Sequence, residues 1–116
     1  MIYIAICYDK KGNLREKKLI NLDNVTYFYS QNKIVYVRFK NGEEICSYKK
    51  LNKVEREVNE ICNFFGRVNK NYLVNVSCVT KFIENEIHIG DLILTISPKY
   101  KDKLLVKLID DRLGIL

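Results

Sequence analysis

Phe64-Phe65-Gly66-Arg67-Val68-Asn69-Lys70-Asn71-Tyr72-Leu73-Val74-Asn75 is the stretch that decides how this chain folds. Upstream of it the apolar residues recur at helical spacing; downstream they run together or alternate, as in strands. Between the two lies a short basic and amide-rich tip: Arg67, Asn69, Lys70 and Asn71. Aromatic residues anchor it on both sides. A polar tip between two anchored elements is where a small domain carries its function.

Upstream, residues 49–65 place Leu51, Val54, Val58, Ile61, Cys62 and Phe65 on one helical face. Lys53, Glu55, Arg56, Glu57 and Glu60 fall mostly on the other, so the pattern predicts an amphipathic helix packed on a sheet. Asn52 followed by Glu55 has the form of a capping box. Gly66 stands where a left-handed residue closes a helix. Before this helix the periods are those of strands. Residues 2–8 alternate, 9–13 form a polar turn with Gly12, and 14–22 carry Arg15 and Lys17 on a polar face. Residues 25–29 and 33–39 follow across a turn at 30–32, and Asn41-Gly42 leads into a returning strand at 43–48.

Downstream, residues 72–83 read as one strand run, and 87–89 with 92–96 as a hairpin around Gly90-Asp91. Ser97-Pro98 opens a short helix with Leu104, Leu105 and Leu108 on its apolar side. Residues 110–116 carry no placeable pattern. Eight to ten short strands with two helices predict antiparallel β organisation with attached helices.

At 116 residues, residues 1–116 read as a single domain. With 47% hydrophobic residues the chain can bury a real core. No run approaches the roughly 18 apolar residues of a membrane span, and the N-terminus lacks signal-peptide features; the expectation is a soluble cytoplasmic protein. Cys7, Cys46, Cys62 and Cys78 are far apart, without metal-ligand spacing, and read as buried reduced thiols. His88, the one histidine, alternates with Ile87 and Ile89 and reads as an exposed strand residue. The five glycines are isolated, so no phosphate-cradling loop exists. Glu43 and Glu44 point to opposite faces of a strand. The expectation is no enzyme, no metal and no cofactor.

The net charge of +6 and a pI near 9.1 suit a polyanionic partner without choosing between DNA, RNA and an anionic membrane. Three loops offer contacts. The tip at 67–71 has lysine, for phosphate or guanine, and asparagine, for adenine. Residues 97–103 combine a helix N-terminus with Lys99 and Lys101. The turn Gln31-Asn32-Lys33 is the third.

The combination of Phe65-Gly66-Arg67-Val68-Asn69-Lys70-Asn71-Tyr72-Leu73-Val74-Asn75 with Leu94-Thr95-Ile96-Ser97-Pro98-Lys99-Tyr100 resembles the LytTR family of bacterial DNA-binding domains. Asn21-Leu22-Asp23-Asn24-Val25-Thr26-Tyr27-Phe28 and the Asn41-Gly42 hairpin stand at the distances the family has, and the match covers about residues 20–108. The resemblance implies a mainly β fold of elongated antiparallel β-sheets, about ten short strands, with one amphipathic helix and one short C-terminal helix. It implies a sequence-specific transcriptional regulator that presents loops to successive grooves of double-stranded DNA, often at promoter direct repeats with a second copy of itself. Carried over by position, the contacts are Lys70, Lys99 and Asn32 or Lys33, and the wider DNA-binding set adds Asn69, Asn71, Arg67 and Lys101.

The departures are specific. The family commonly has histidine at the position of Asn69, serine at Asn71, arginine at Lys99, and a serine or threonine helix cap at Lys49. Lysine is a point charge where arginine reads guanine as a fork. Most members also carry a phosphorylated receiver domain, which this sequence does not include; it reads either as a stand-alone regulator, the reading favoured by a strand at 2–8 without linker character, or as a fragment of a longer one. Two other readings stand beside the first. One is a protein-interaction module that antagonises another regulator without binding DNA. The other is RNA binding through stacked tyrosines, although Tyr27, Tyr29, Tyr36, Tyr48 and Tyr72 follow strand patterns and read as sheet-face residues.

Overall fold

Two apolar stripes on one strand determine the architecture. In the computed structural model, residues 3–10, 14–47 and 49–113 are described, with side chains for 18–47 and 49–111. The chain runs β1 (Tyr3–Lys10), β2 (Leu14–Asn21), a 3-10 turn (Leu22–Asn24), β3 (Val25–Gln31), β4 (Ile34–Phe39), β5 (Glu44–Ser47) and α1 (Leu51–Ile61). It continues as β6 (Phe65–Asn69), β7 (Tyr72–Asn75), a second 3-10 turn (Val76–Cys78), β8 (Lys81–Ile83), β9 (Glu86–Ile89), β10 (Leu92–Thr95) and α2 (Pro98–Leu113). Of the expected turn at 9–13, Asp9 and Lys10 belong to β1, and 11–13 lie outside the described residues, as do Tyr48, residues 114–116 and the side chains of Cys7, Arg15 and Lys17.

Every strand pairing is antiparallel: a β1-β2 hairpin, a five-stranded sheet in the order β5-β4-β3-β7-β6, and a three-stranded sheet β10-β9-β8. The molecule is elongated, 46 × 29 × 25 Å. It is mainly β, as the strand periods predict.

Strand β6 belongs to two cores. Phe65 enters the first, where Leu51, Val54 and Val58 of α1 pack against Phe28, Val37 and Leu73 of the five-stranded sheet. Val68 enters the second, with Ile87, Leu94 and Ile96 of the small sheet and Leu104 and Leu108 of α2. Phe64 touches both. An edge strand covered on both faces has no free apolar side, which is why Phe65, Gly66, Arg67 and Val68 are all buried.

This placement corrects the reading of Gly66. The helix stops at Ile61, and Cys62 leaves it in extended backbone, φ −154°, its N–H still donating to the Val58 carbonyl at 2.9 Å. Phe65 lies in β6 beyond the helix, and Ile61 is exposed. Gly66 is needed for closeness instead of handedness: a Cβ there would lie 2.6 Å from Leu104 Cδ1.

The run 72–83 is also broken. Asn75 is buried; its amide donates to the Val25 carbonyl at 3.0 Å, and its oxygen accepts from Ser77 N at 3.0 Å and Ser77 Oγ at 2.6 Å. That amide ends β7 and starts the 3-10 turn, just as Asn21 Oδ1 accepts from Asp23 N at the first such turn. The C-terminal helix is not short: α2 has 16 residues against 11 in α1. His88 is half-buried in β9 instead of exposed, and Cys46, Cys62 and Cys78 are unbridged and half-buried. Tyr36, Tyr29 and Tyr72 form a cross-strand row, with ring centroids 5.1 and 5.6 Å apart.

Candidate nucleic-acid interface

The tip between β6 and β7 is built by a bulge and a clamp. Register slips between Arg67 and Asn69, where Arg67 faces Leu73 and Asn69 faces Tyr72. The extra residue re-aims the end of β6. Lys70 and Asn71 form the turn itself and both are exposed.

Arg67 is the clamp, and here the structure departs from the expected DNA contact. The residue is buried, only 7% exposed. Nε donates to the Asn69 carbonyl and Nη2 to the Lys70 carbonyl, both at 2.7 Å. Nη1 donates to Asn52 Oδ1 at 2.8 Å and Glu55 Oε1 at 2.7 Å. The guanidinium also sits 5.3 Å from the centre of the Tyr100 ring. Its donors are therefore turned inward, onto the tip's own backbone and α1, so it shapes the tip and does not reach out from it.

The same contacts explain Asn52 and Glu55. The N-cap of α1 is Lys50, which makes no side-chain cap hydrogen bond. The Asn-x-x-Glu spacing puts both acceptors on one helical face, and that face is turned to Arg67. Asn69 is a scaffold residue too. Its Nδ2 donates to the Thr95 carbonyl at 3.0 Å and its Oδ1 accepts from Asn71 N at 2.8 Å.

Backbone hydrogen bonds bring the three expected loops to one end of the molecule. Ser97 N donates to the Val68 carbonyl at 2.9 Å, seating the start of α2 beside the tip. Ser30 N donates to the Asn71 carbonyl at 2.9 Å, seating the β3-β4 turn on its other side. That turn is Asn32-Lys33, inside the expected Gln31-Asn32-Lys33 and later than the 30–32 turn read from the strand periods, with φ of 52° and 66° between the paired Gln31 and Ile34. Two left-handed central residues are the type I′ arrangement that suits strand twist.

Lys33, Lys70 and Lys99 are exposed at this end. Among the described residues none of the three pairs with a carboxylate. Lys99 Nζ lies 5.3 Å from the centre of the Tyr100 ring, so one aromatic ring steadies both Lys99 and the clamp. Lys101 stands apart: it is half-buried and donates to Asn85 Oδ1 at 2.7 Å, fastening α2 to the β8-β9 turn. The end of the molecule thus offers three unpaired ammonium groups and the Asn71 and Asn32 side chains, on loops fixed by sheets behind them. That chemistry suits phosphate oxygens and base edges. The roles missed from the sequence are those of Asn52, Glu55 and Tyr100 on the two helices, which hold Arg67 and, for Tyr100, also Lys99.

A family model described as the LytTr DNA-binding domain matches residues 15–108. Among solved structures, the LytTr DNA-binding domain of a protein described as a methyl-accepting/DNA response regulator from Bacillus cereus matches with a TM-score of 0.67 at 14% identity, over 99% of this chain and 99% of that one. At that identity the likeness is one of fold. A search of curated proteins found no match.

Proposed function

The chain belongs to the LytTR family of DNA-binding domains, and from that premise we propose that it is a sequence-specific transcriptional regulator that grips promoter DNA with its loop end. The observation that carries the reading is the convergence of Lys70, Lys99 and the Asn32-Lys33 turn at one end of the fold. The loops enter successive grooves of the duplex. Lys70 and Lys99 make the leading contacts, with Asn71 and Lys33 beside them and Asn69 and Arg67 holding the shape. Two copies on a direct repeat would give each site two such ends. The chain works in the cytoplasm, where promoter DNA lies; among the described residues no helix is long and apolar enough to cross a membrane.

Selection of bound duplex from a random pool, followed by gel shift on the selected site, tests the proposal. Lys70→Ala and Lys99→Ala are each expected to weaken specific binding by about 1–3 kcal/mol if they read bases. The affinity should fall steeply with salt. Wild-type affinity in both variants removes the assigned roles. No duplex binding even at low salt replaces this reading with that of a protein-interaction module, and preference for single-stranded RNA replaces it with RNA binding.

A further inference from the structure

Helices α1 and α2 both start near the tip and run along β6, and between them lies a cleft of about 410 Å³. Arg67 marks its tip end, through Asn52 and Glu55 of α1 and Tyr100 of α2. Lys107 marks the far end. Its Nζ donates to the Phe65 carbonyl and to Asn59 Oδ1, the latter at 3.2 Å. Lys99, Lys103 and Lys107 are spaced at i, i+4 and i+8, so they line one face of α2 along the cleft. The carboxylate in the lining, Glu55, is already committed to Arg67 at 2.7 Å.

The charges in this cleft do not balance. Lys107 is half-buried, yet its partners are a carbonyl and an amide, both neutral. Burial holds its pKa below the ordinary lysine value against the upward pull of Cys62 and Glu55, and the like charge of Lys103 adds a smaller push downward. A half-buried ammonium without a counter-ion is costly, and a methionine of similar length would fill the space without that cost. An oxyanion bridging two lysines removes both penalties and adds charge-assisted hydrogen bonds.

We propose that the cleft is a phosphate-binding site, with the oxyanion held between Lys103 and Lys107 and Lys99 at the tip end. The volume admits a diphosphate-sized group. The phosphate can come from a free phosphorylated small molecule or from the backbone of bound DNA; only the second source rests on the function proposed above.

The test is a titration of inorganic pyrophosphate into the full chain at constant ionic strength, followed by amide chemical shifts. Saturable shifts confined to residues 65–67 and 99–107 are expected. Lys103→Ala should weaken binding by about tenfold, the size of one charge-assisted hydrogen bond. Lys103 is exposed, so this variant keeps the fold, and Lys107→Met removes the ammonium while keeping the stem. Lys81→Ala, on β8, should bind as wild type. Shifts that spread over the lysines without saturating, or unchanged affinity in both cleft variants, overturn the proposal.

Duplex DNA then assigns the source. A salt slope reduced by about 1 in Lys103→Ala, with pyrophosphate competing against DNA, identifies a backbone phosphate. An unchanged slope, with pyrophosphate still binding the DNA complex, identifies a free ligand. If the chain binds no duplex, the DNA reading fails and the pyrophosphate result stands by itself.

Discussion

Arg67→Ala is expected to cost about 3 kcal/mol of stability and about tenfold in DNA affinity, although its guanidinium is turned inward. The stability term starts from four hydrogen bonds of 2.7 to 2.8 Å. Bonds from a charged donor contribute about 1.5–3 kcal/mol each, which would total 6 or more. Two partners recover water when the guanidinium leaves: the Lys70 carbonyl at the exposed turn and Glu55, whose side chain is 26% exposed. The sum therefore falls to about 3 kcal/mol, the low end for breaking a buried ion pair. For a chain of this size that is a fall in Tm of about 12 °C.

The affinity term is separate. Without the clamp, residues 69–71 must be ordered on binding, at about 1–2 kcal/mol per backbone residue. One residue's worth is already about tenfold. Arg67→Lys should recover only part of both terms, because a point charge cannot span four acceptors. Thermal denaturation, gel shift and hydrogen exchange at the Asn71 and Ser97 amides measure the pieces. Lys70→Ala is the comparator: it should lose affinity while keeping Tm. A Tm for Arg67→Ala within about 2 °C of wild type, or Arg67→Lys matching wild type in both assays, would refute the clamp.

Gly66→Ala should destabilise by about 2 kcal/mol in urea denaturation, because its Cβ would lie 2.6 Å from Leu104 Cδ1, in a side chain only 1% exposed. Lys33→Gly should raise stability by about 1 kcal/mol by relieving a φ of 66°, and should weaken DNA binding if the ammonium meets phosphate. Tyr29 is pushed up to about 12, first by burial and then by Glu44, whose Oε2 accepts its hydroxyl at 3.0 Å. Its folded value lies above the ordinary 10, so the stability it contributes is complete below pH 10 and is lost as pH rises through about 12. Tyrosinate absorbance should show a late-titrating fraction that shrinks in Tyr29→Phe; an unchanged titration would remove Tyr29 as its source.

Local signals were legible where one period or one turn decides the backbone. The stripe Leu51, Val54 and Val58 placed α1, the alternation at 34–39 placed β4, and Ser97-Pro98 placed the start of α2. Asn41-Gly42 placed a turn, with Gly42 at φ 91° and the Phe39 amide bonded to the Glu43 carbonyl at 2.9 Å. The exposed lysines were legible too, because an unpaired charge on a loop needs no tertiary contact to be seen.

What the tertiary structure decided is everything that depends on a partner distant in sequence. Gly66 looked like a helix stop because Phe65 fits the helical stripe; only α2, some forty residues on, shows that the glycine makes room for Leu104. Asn52 and Glu55 looked like a capping box because the spacing of a box and that of two acceptors on one helix face are the same. Arg67 looked like part of the reaching tip because a β bulge leaves no mark in the sequence. By itself the sequence determined the core of α1, the strand β4, the Asn41-Gly42 turn, the start of α2 and where the positive charge lies. The fold decided which charges stay exposed and which are turned inward, because burial and hydrogen bonding are properties of packed neighbours and not of spacing along the chain.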